Sequence, residues 1–297
     1  MLRDFAEIMN TSLISILCGL GGMLGWGIYD FLGGVYSKQI GPFKSIFWSQ
    51  LAGTLPIIAL LLVFTARFDI PVPVMFLIPV AAVVYSAGYL FFFRGFEIGN
   101  ISIVAATMNL WAVFTMLFAF AFMGQRLTRI QSLGVFMIIT GVTLASLNWN
   151  EIRNHRFKLS LGVKETVIGA FFFGVFWNIS EIISEEIGWL PTTLFVKIGI
   201  VVFLLLFSFF RKRELALTTA TPKTKGMVLL MGCIEAGAVA GVNYGLTIGD
   251  AILITPISSA LSIVTILLAI LFLKDRITRF QGAGMITAVA GIIVTGL

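Results

Sequence analysis

One stretch of the chain occurs twice. Residues 98–147, displaced by 150 positions, lie on residues 248–297 without a gap, and most differences exchange one apolar residue for another. The clearest identities are Arg126, Thr128, Arg129, Gln131, Gly134 and Gly141, which recur as Arg276, Thr278, Arg279, Gln281, Gly284 and Gly291. Each copy reads as two long apolar runs joined by a short charged turn. Thr128 and Gln131, like Thr278 and Gln281, have capping-box spacing, in which hydroxyl and amide satisfy the free backbone N–H groups of a starting helix. A repeat built from membrane-length apolar runs points to a protein of two homologous halves.

Composition sets the class. The chain is 59% hydrophobic and 11% charged over 297 residues, with a mean hydropathy of +1.03. Runs of this length and polarity are transmembrane helices. The N-terminus carries Arg3, Asp4 and Glu7 and lacks both a basic leader and a small-residue cleavage site, so the first run reads as a helix of the mature protein. Cys18 and Cys233 fall inside apolar runs, giving neither a disulfide framework nor a metal site. The net charge of +6 lies mostly in connections, where it bears on topology and anionic headgroups before nucleic acid.

Ten apolar segments are expected, at roughly 12–35, 43–65, 73–94, 101–123, 129–148, 164–185, 191–210, 226–248, 251–273 and 279–296. The expected fold is an all-α integral membrane protein with ten transmembrane helices in two inverted five-helix repeats. The first repeat covers 1–148, a connecting loop 149–160, and the second repeat 161–297. Five is odd, so equivalent segments cross the bilayer in opposite directions. Trp26 and Asp30 fall on Trp177 and Glu181 at an offset of 151, weaker support for the same relation. Arg3, Arg67, Arg126 and Arg129 lie at the termini and even-numbered connections. Apart from Lys197, the rest of the 20 basic residues lie in the odd-numbered connections. The positive-inside rule then expects odd connections in the cytoplasm and both termini outside.

Charge within the segments is the main functional signal. An ionisable side chain in the bilayer core costs about 3 kcal/mol or more and marks function by default. Asp30, Glu181, Lys197 and Glu235 qualify. Glu235 is near the middle of its segment and takes the place of Tyr85 in the other half. Read as a lone buried acid, it suits a proton or the amine of a substrate. Lys197 has a plainer role open to it, pairing with Glu181 or Glu235 and locking helices together. Asp30 is close enough to an interface for solvation to be the alternative. Asn178, Glu181 and Glu185 share a helical face by spacing. The single histidine, His155, lies in the central loop, so a proton relay would rest on carboxylates.

Aromatic and amide groups form a second tier: Trp26, Tyr29, Tyr85, Tyr89, Asn109, Trp111, Trp177, Asn178, Asn243 and Tyr244. Rings and amides hold an organic ligand by stacking and hydrogen bonds. With 28 Phe and 6 Trp in the chain, packing against neighbouring helices or anchoring at the interface are the competing roles. Ser258, Ser259 and Ser262 follow Pro256, which removes one helical hydrogen bond; interhelical bonding is their plain role. Gly19, Gly21, Gly22, Gly25 and Gly27 allow close helix approach in the first segment.

Ten segments in two inverted halves, with an R-x-T-R-x-Q-x-x-G turn near the end of each half, resemble the drug/metabolite transporter superfamily, in particular its EamA-domain members. The resemblance covers essentially the whole chain. It implies a central cavity between the halves lined mainly by segments 1, 3, 4, 6, 8 and 9. It also implies that segments 5 and 10 lie at the edge, often at a dimer contact. Relatives in that superfamily carry amino acids, sugars, nucleotide sugars, drugs and lipid-linked groups, and no substrate motif of any one subfamily is matched.

There is no Walker A sequence, no H-E-x-x-H and no G-x-S-x-G, so ATP-driven or hydrolytic chemistry has no support and an enzyme is not expected. No cofactor is expected. The expected function is secondary transport of a small polar or amphipathic organic solute by alternating access, with proton coupling left open; the alternative is a flippase of a polar-headed lipid or lipid-linked sugar. The expected partners are the solute and membrane lipids, with no nucleic acid. A monomer and a homodimer are both compatible. The expected location is a prokaryotic cytoplasmic (inner) membrane. The candidate residues are Glu235, Glu181, Asp30, Lys197, Tyr85, Tyr89, Trp26, Trp177, Asn178, Asn109 and Asn243.

Overall fold

The computed structural model describes residues 2–63, 69–122, 128–146, 159–248, 257–258 and 260–295. Arg67, Arg126, His155, Pro256 and Ser259, singled out above, lie outside them. The elements are α1 (Leu2–Ile40), α2 (Pro42–Val63), α3 (Val72–Ile98), α4 (Ile101–Met108), α5 (Leu110–Phe122), α6 (Arg129–Ser146), α7 (Val163–Ile187), α8 (Trp189–Arg211), α9 (Pro222–Ile248), α10 (Leu261–Leu268) and α11 (Arg279–Thr295). A π-helical turn, Ala269–Leu273, continues α10. In a medium without water every backbone group needs an internal partner, and helices supply one.

Among the described residues, 7 helical stretches are long and apolar enough to cross a membrane: Ile16–Ile40, Pro42–Val63, Val72–Ile98, Ile101–Phe122, Val163–Ile187, Trp189–Arg211 and Pro222–Gly245. Arg129–Ala145, Leu261–Leu273 and Arg279–Val294 are shorter apolar helices. One segment expectation needs correction: the first segment is part of a longer helix that begins at Leu2, so its polar leading residues are helical. The segment expected at 101–123 is one apolar stretch, Ile101–Phe122, with a local break at Asn109, whose N–H bonds Ala106 O at 3.3 Å.

Local chemistry sets the element ends. Gly41 takes φ +85 between α1 and α2, a conformation side chains resist, and Pro42 starts α2 where no N–H is needed. Both capping boxes form. Thr128 N–H donates to Gln131 Oε1 at 2.9 Å and Gln131 N–H to Thr128 Oγ1 at 3.1 Å. The same exchange joins Thr278 and Gln281 at 3.0 and 3.2 Å.

The helices opened by those boxes, α6 and α11, pack on each other through glycine. A Cβ placed on Gly141 would lie 2.6 Å from Gly284 O, one on Gly284 2.6 Å from Gly141 O, and one on Gly291 2.8 Å from Gly134 O. Gly134 therefore faces Gly291 while Gly141 faces Gly284, so the two helices run antiparallel. A shift of 150 positions converts one pair into the other. Equivalent surfaces of the two copies thus meet each other, as in an isologous two-fold contact.

The core lies between the halves. Tyr29, Phe92, Phe93, Phe96, Ile46, Ile101 and Ile200 are essentially inaccessible. At one end of the bundle, hydrogen bonds tie the connections together. Lys38 Nζ donates to Gly99 O at 3.0 Å, Lys44 Nζ to Ala216 O at 2.9 Å, and Trp48 Nε1 to Leu215 O at 2.8 Å. Thr224 Oγ1 donates to Gln39 Oε1 at 3.1 Å. Ser102 N–H and Oγ both donate to Asp275 Oδ2, at 3.1 and 3.0 Å.

Candidate functional site at the interface between the halves

Within this apolar interior the buried charged side chains among the described residues are Asp30, Lys197 and Glu235. Lys197 on α8 and Glu235 on α9 form an ion pair, Nζ to Oε2 at 2.5 Å, with both side chains almost wholly buried. Glu235 is therefore not the lone acid that its sequence position suggested. Of the two partners open to Lys197, the fold selects Glu235. Glu181 is exposed on α7, in the last turns before Ile187, and takes no part in the pair.

The pair sits in a hydrogen-bonded network. Lys197 Nζ also donates to Gln50 Oε1 at 3.0 Å. Gln50 Nε2 donates to Tyr29 Oη at 3.2 Å and to Tyr85 Oη at 3.4 Å. Tyr85 Oη in turn donates to Glu235 Oε1 at 3.2 Å. Tyr29 Oη lies 3.3 Å from Ser49 Oγ. Each carboxylate oxygen of Glu235 thus has a donor, and Lys197 has one charged and one neutral acceptor. This satisfaction is what a low-dielectric interior demands of buried charge. Close helix approach makes it geometrically available: a Cβ on Gly53 would lie 2.6 Å from Gly232 O and 3.5 Å from Glu235 Oε2.

The network joins equivalent parts of the two halves. Tyr85 and Glu235 stand 150 positions apart, the repeat offset, on α3 and α9. Gln50 and Lys197 sit on α2 and α8, the second long helix of each half. Repeat-related positions touch each other only near the axis that relates the halves, so the network lies on that axis. Gln50 and Ser49 are neither ionisable nor in a segment that the family resemblance assigns to the cavity, so sequence reasoning does not reach them. The one available signal was an amide within an otherwise apolar helix.

The remaining candidates are spread around this centre. Tyr89 packs on Tyr85 with ring centroids 4.8 Å apart and on Tyr29 at 5.6 Å, edge to face. Asp30 is 6% exposed and has no hydrogen bond or ion pair among the described residues. Asn178 donates from Nδ2 to Gly174 O at 2.8 Å and to Thr115 O at 3.2 Å, which fixes α7 to α5. Asn109 is buried at the end of α4, its Nδ2 without a partner among the described residues. Trp177 is on an exposed face, 5.9 Å from Trp111 and away from the ion pair. Trp26 and Asn243 are half-buried on α1 and α9, outside the network.

An open groove lies elsewhere, on the surface between α1 and α9. Its volume is about 430 Å³, and Leu17, Cys18, Gly21, Ile234, Gly237 and Gly241 are among its walls. Cys18 and Cys233 are both free thiols. Among the described residues no cluster of His, Cys, Asp and Glu has the arrangement to hold a metal ion.

Comparison with known proteins places this architecture. A solved crystal structure described only as that of a protein shares the fold, with a TM-score of 0.65 at 17% identity over 94% of this chain and 95% of that one. No curated protein matches the chain in sequence. The model of the EamA-like transporter family matches twice, over residues 13–147 and 161–297, so that each copy contains one copy of the internal repeat. With two such matches spanning nearly all of an apolar, multi-helix protein, the chain belongs to the EamA-like transporter family and is an integral, multi-pass membrane transporter.

Proposed function

We propose that the protein is a secondary transporter that carries a small polar or amphipathic organic solute by alternating access, with ten crossings in two inverted halves. The observation that carries this reading is the buried ionic network on the axis between the halves. Ionisable groups in a bilayer interior are costly, and a protein retains them there when they serve a pathway. A site at the midplane, shared by two inverted halves, suits two packings of nearly equal energy, each open to one side. The antiparallel Gly141–Gly284 contact supports the inversion. The network of Lys197, Glu235, Gln50 and Tyr85 would act as the pivot. A prokaryotic inner membrane, with the odd-numbered connections in the cytoplasm, fits the distribution of basic residues.

The test is uptake into proteoliposomes holding the purified protein, against a panel of amino acids, polyamines, sugars and nucleotides, with and without a pH gradient. A disulfide between Ser102→Cys and Asp275→Cys, made in a background of Cys18→Ala and Cys233→Ala, would fasten the halves at one end. Alternating access expects saturable flux that stops on oxidation and returns on reduction. Flux indifferent to the crosslink would count against rocking halves.

The groove between α1 and α9 favours a second reading, movement of a polar-headed lipid. Its walls are apolar and it opens sideways, as an acyl chain would require. Fluorescent phospholipids in the same vesicles separate the readings: lipid exchange between leaflets without solute flux would select this one.

A further inference from the structure

The three buried ionisable side chains do not pair off, and the odd one is Asp30. Lys197 and Glu235 neutralise each other, and Gln50 and Tyr85 complete their hydrogen bonds. Asp30 has no cation and no donor among the described residues, although it is 94% buried by its 6% exposure. Lys197, the buried cation among the described residues, is taken up by Glu235 and Gln50.

The position of Asp30 indicates what it awaits. Gly27, Asp30 and Gly34 share one face of α1 at i, i+3 and i+7 spacing. Gly27 packs against Leu261 and Val264 of α10, and its carbonyl accepts from Thr265 Oγ1 at 3.0 Å. Gly34 packs against Ile101 of α4. Asp30 therefore faces the junction of α1, α4 and α10. Two further polar atoms on these helices are buried and unpartnered among the described residues: Asn109 Nδ2, where α4 ends, and Ser262 Oγ on α10. From the Gly34–Ile101 contact, Asp30 lies about 6 Å and Asn109 about 12 Å deeper along their helices, at 1.5 Å per residue. An acid without a cation and a donor without an acceptor thus stand on helices that meet at this junction.

We propose that Asp30 receives the cationic group of the cargo, and that the cargo is a small amine that also carries a hydroxyl, carbonyl or carboxylate oxygen. The ammonium supplies the charge Asp30 lacks, and the oxygen takes the Asn109 N–H. Glu235 keeps Lys197 as its partner throughout and does not bind the cargo. This assignment rests on the transporter reading above. Every residue of α4 from Ile101 to Met108 is buried, so the junction opens only as the halves move.

Dicyclohexylcarbodiimide, which modifies buried carboxyl groups lacking a cationic partner, tests the assignment on the wild-type protein in lipid nanodiscs. Mass spectrometry is expected to find Asp30 modified at least tenfold over Glu235, with protection by millimolar ethanolamine or serine and none by ethylene glycol. Modification favouring Glu235, or no protection by any of the amines, overturns the proposal. Asp30→Asn is expected to leave the melting temperature equal or higher while abolishing amine uptake. Retained amine uptake in Asp30→Asn overturns it too. Proteoliposomes that carry a non-amine solute but no amine would refute the assignment while leaving a transporter in place; vesicles that move no solute at all would remove both.

Discussion

Tyr85 donates a 3.2 Å hydrogen bond to Glu235, and the two residues occupy the same position in the two copies of the repeat. The halves have thus diverged at a shared position into a donor and an acceptor. Identical acids there would repel, and identical tyrosines would leave Lys197 without a counter-charge. Asymmetry at the axis lets a symmetric scaffold hold an ion pair.

That pair predicts unequal single and double variants. Removing one partner leaves an uncompensated buried charge, at a cost of about 3–5 kcal/mol. Lys197→Met and Glu235→Gln are each expected to lower the melting temperature in detergent markedly. The double variant is expected to recover most of the loss, because no charge is then stranded. Additive losses in the double variant would mean that the pair is not coupled as its 2.5 Å contact implies.

Gln50 is the hub of the network, so its truncation should propagate. Gln50→Leu is nearly the same size but removes the donor to Tyr29 Oη and Tyr85 Oη and the neutral acceptor of Lys197 Nζ. Leaving a buried group unsatisfied costs about 1–3 kcal/mol. A thermal unfolding series should place Gln50→Leu well below Tyr85→Phe, which removes a single hydroxyl. Equal effects would show that Gln50 is an ordinary core position.

Much of this was legible in the chain. The 150-residue repeat gave the two halves, and the Thr–Gln spacing gave both capping boxes down to their bonded atoms. Counting charge within apolar runs led to Asp30, Lys197 and Glu235, because few residues are so costly to bury. The partner of Lys197 was not legible: choosing between Glu181 and Glu235 depends on how α7, α8 and α9 rotate about their axes. An almost uniformly apolar helix carries little periodicity to reveal that rotation. Gln50 is not legible for a related reason. An uncharged amide costs less to bury than a charge, and only the arrival of Lys197 from the other half makes it a hub. The break at Asn109 has no glycine or proline to announce it.

The glycine contact between α6 and α11 makes a sharp steric prediction. A Cβ on Gly284 would meet backbone, Gly141 O at 2.6 Å and Ala145 N at 2.6 Å, and backbone cannot swing aside as a side chain does. Gly284→Val is expected to destabilise by about 1–3 kcal/mol, the usual cost of overpacking. Gly226→Val, at a position with open space, should change little. Indistinguishable melting temperatures for the two would contradict the close antiparallel crossing.

Asp275 belongs to the second half, yet it serves the first. Its carboxylate accepts from the N–H and hydroxyl of Ser102 in the opening turn of α4, while Asn100 caps the next N–H, of Ile103, at 3.0 Å. A carboxylate there also meets the positive end of the helix dipole. The contact joins the halves at the end where Lys38, Lys44 and Trp48 make their own bonds, and under the proposed alternating access it would hold that end shut. Loss of such a cap is worth about 1–2 kcal/mol, a shift of roughly 5–30-fold in a two-state balance. A cysteine at Ile101, fully buried in this state, reports opening in a background of Cys18→Ala and Cys233→Ala. Asp275→Ala should speed its maleimide labelling by about tenfold, and Ser102→Ala by less, since the backbone donor remains. Labelling unchanged by Asp275→Ala would show that the halves are held at this end by the lysine and tryptophan bonds instead.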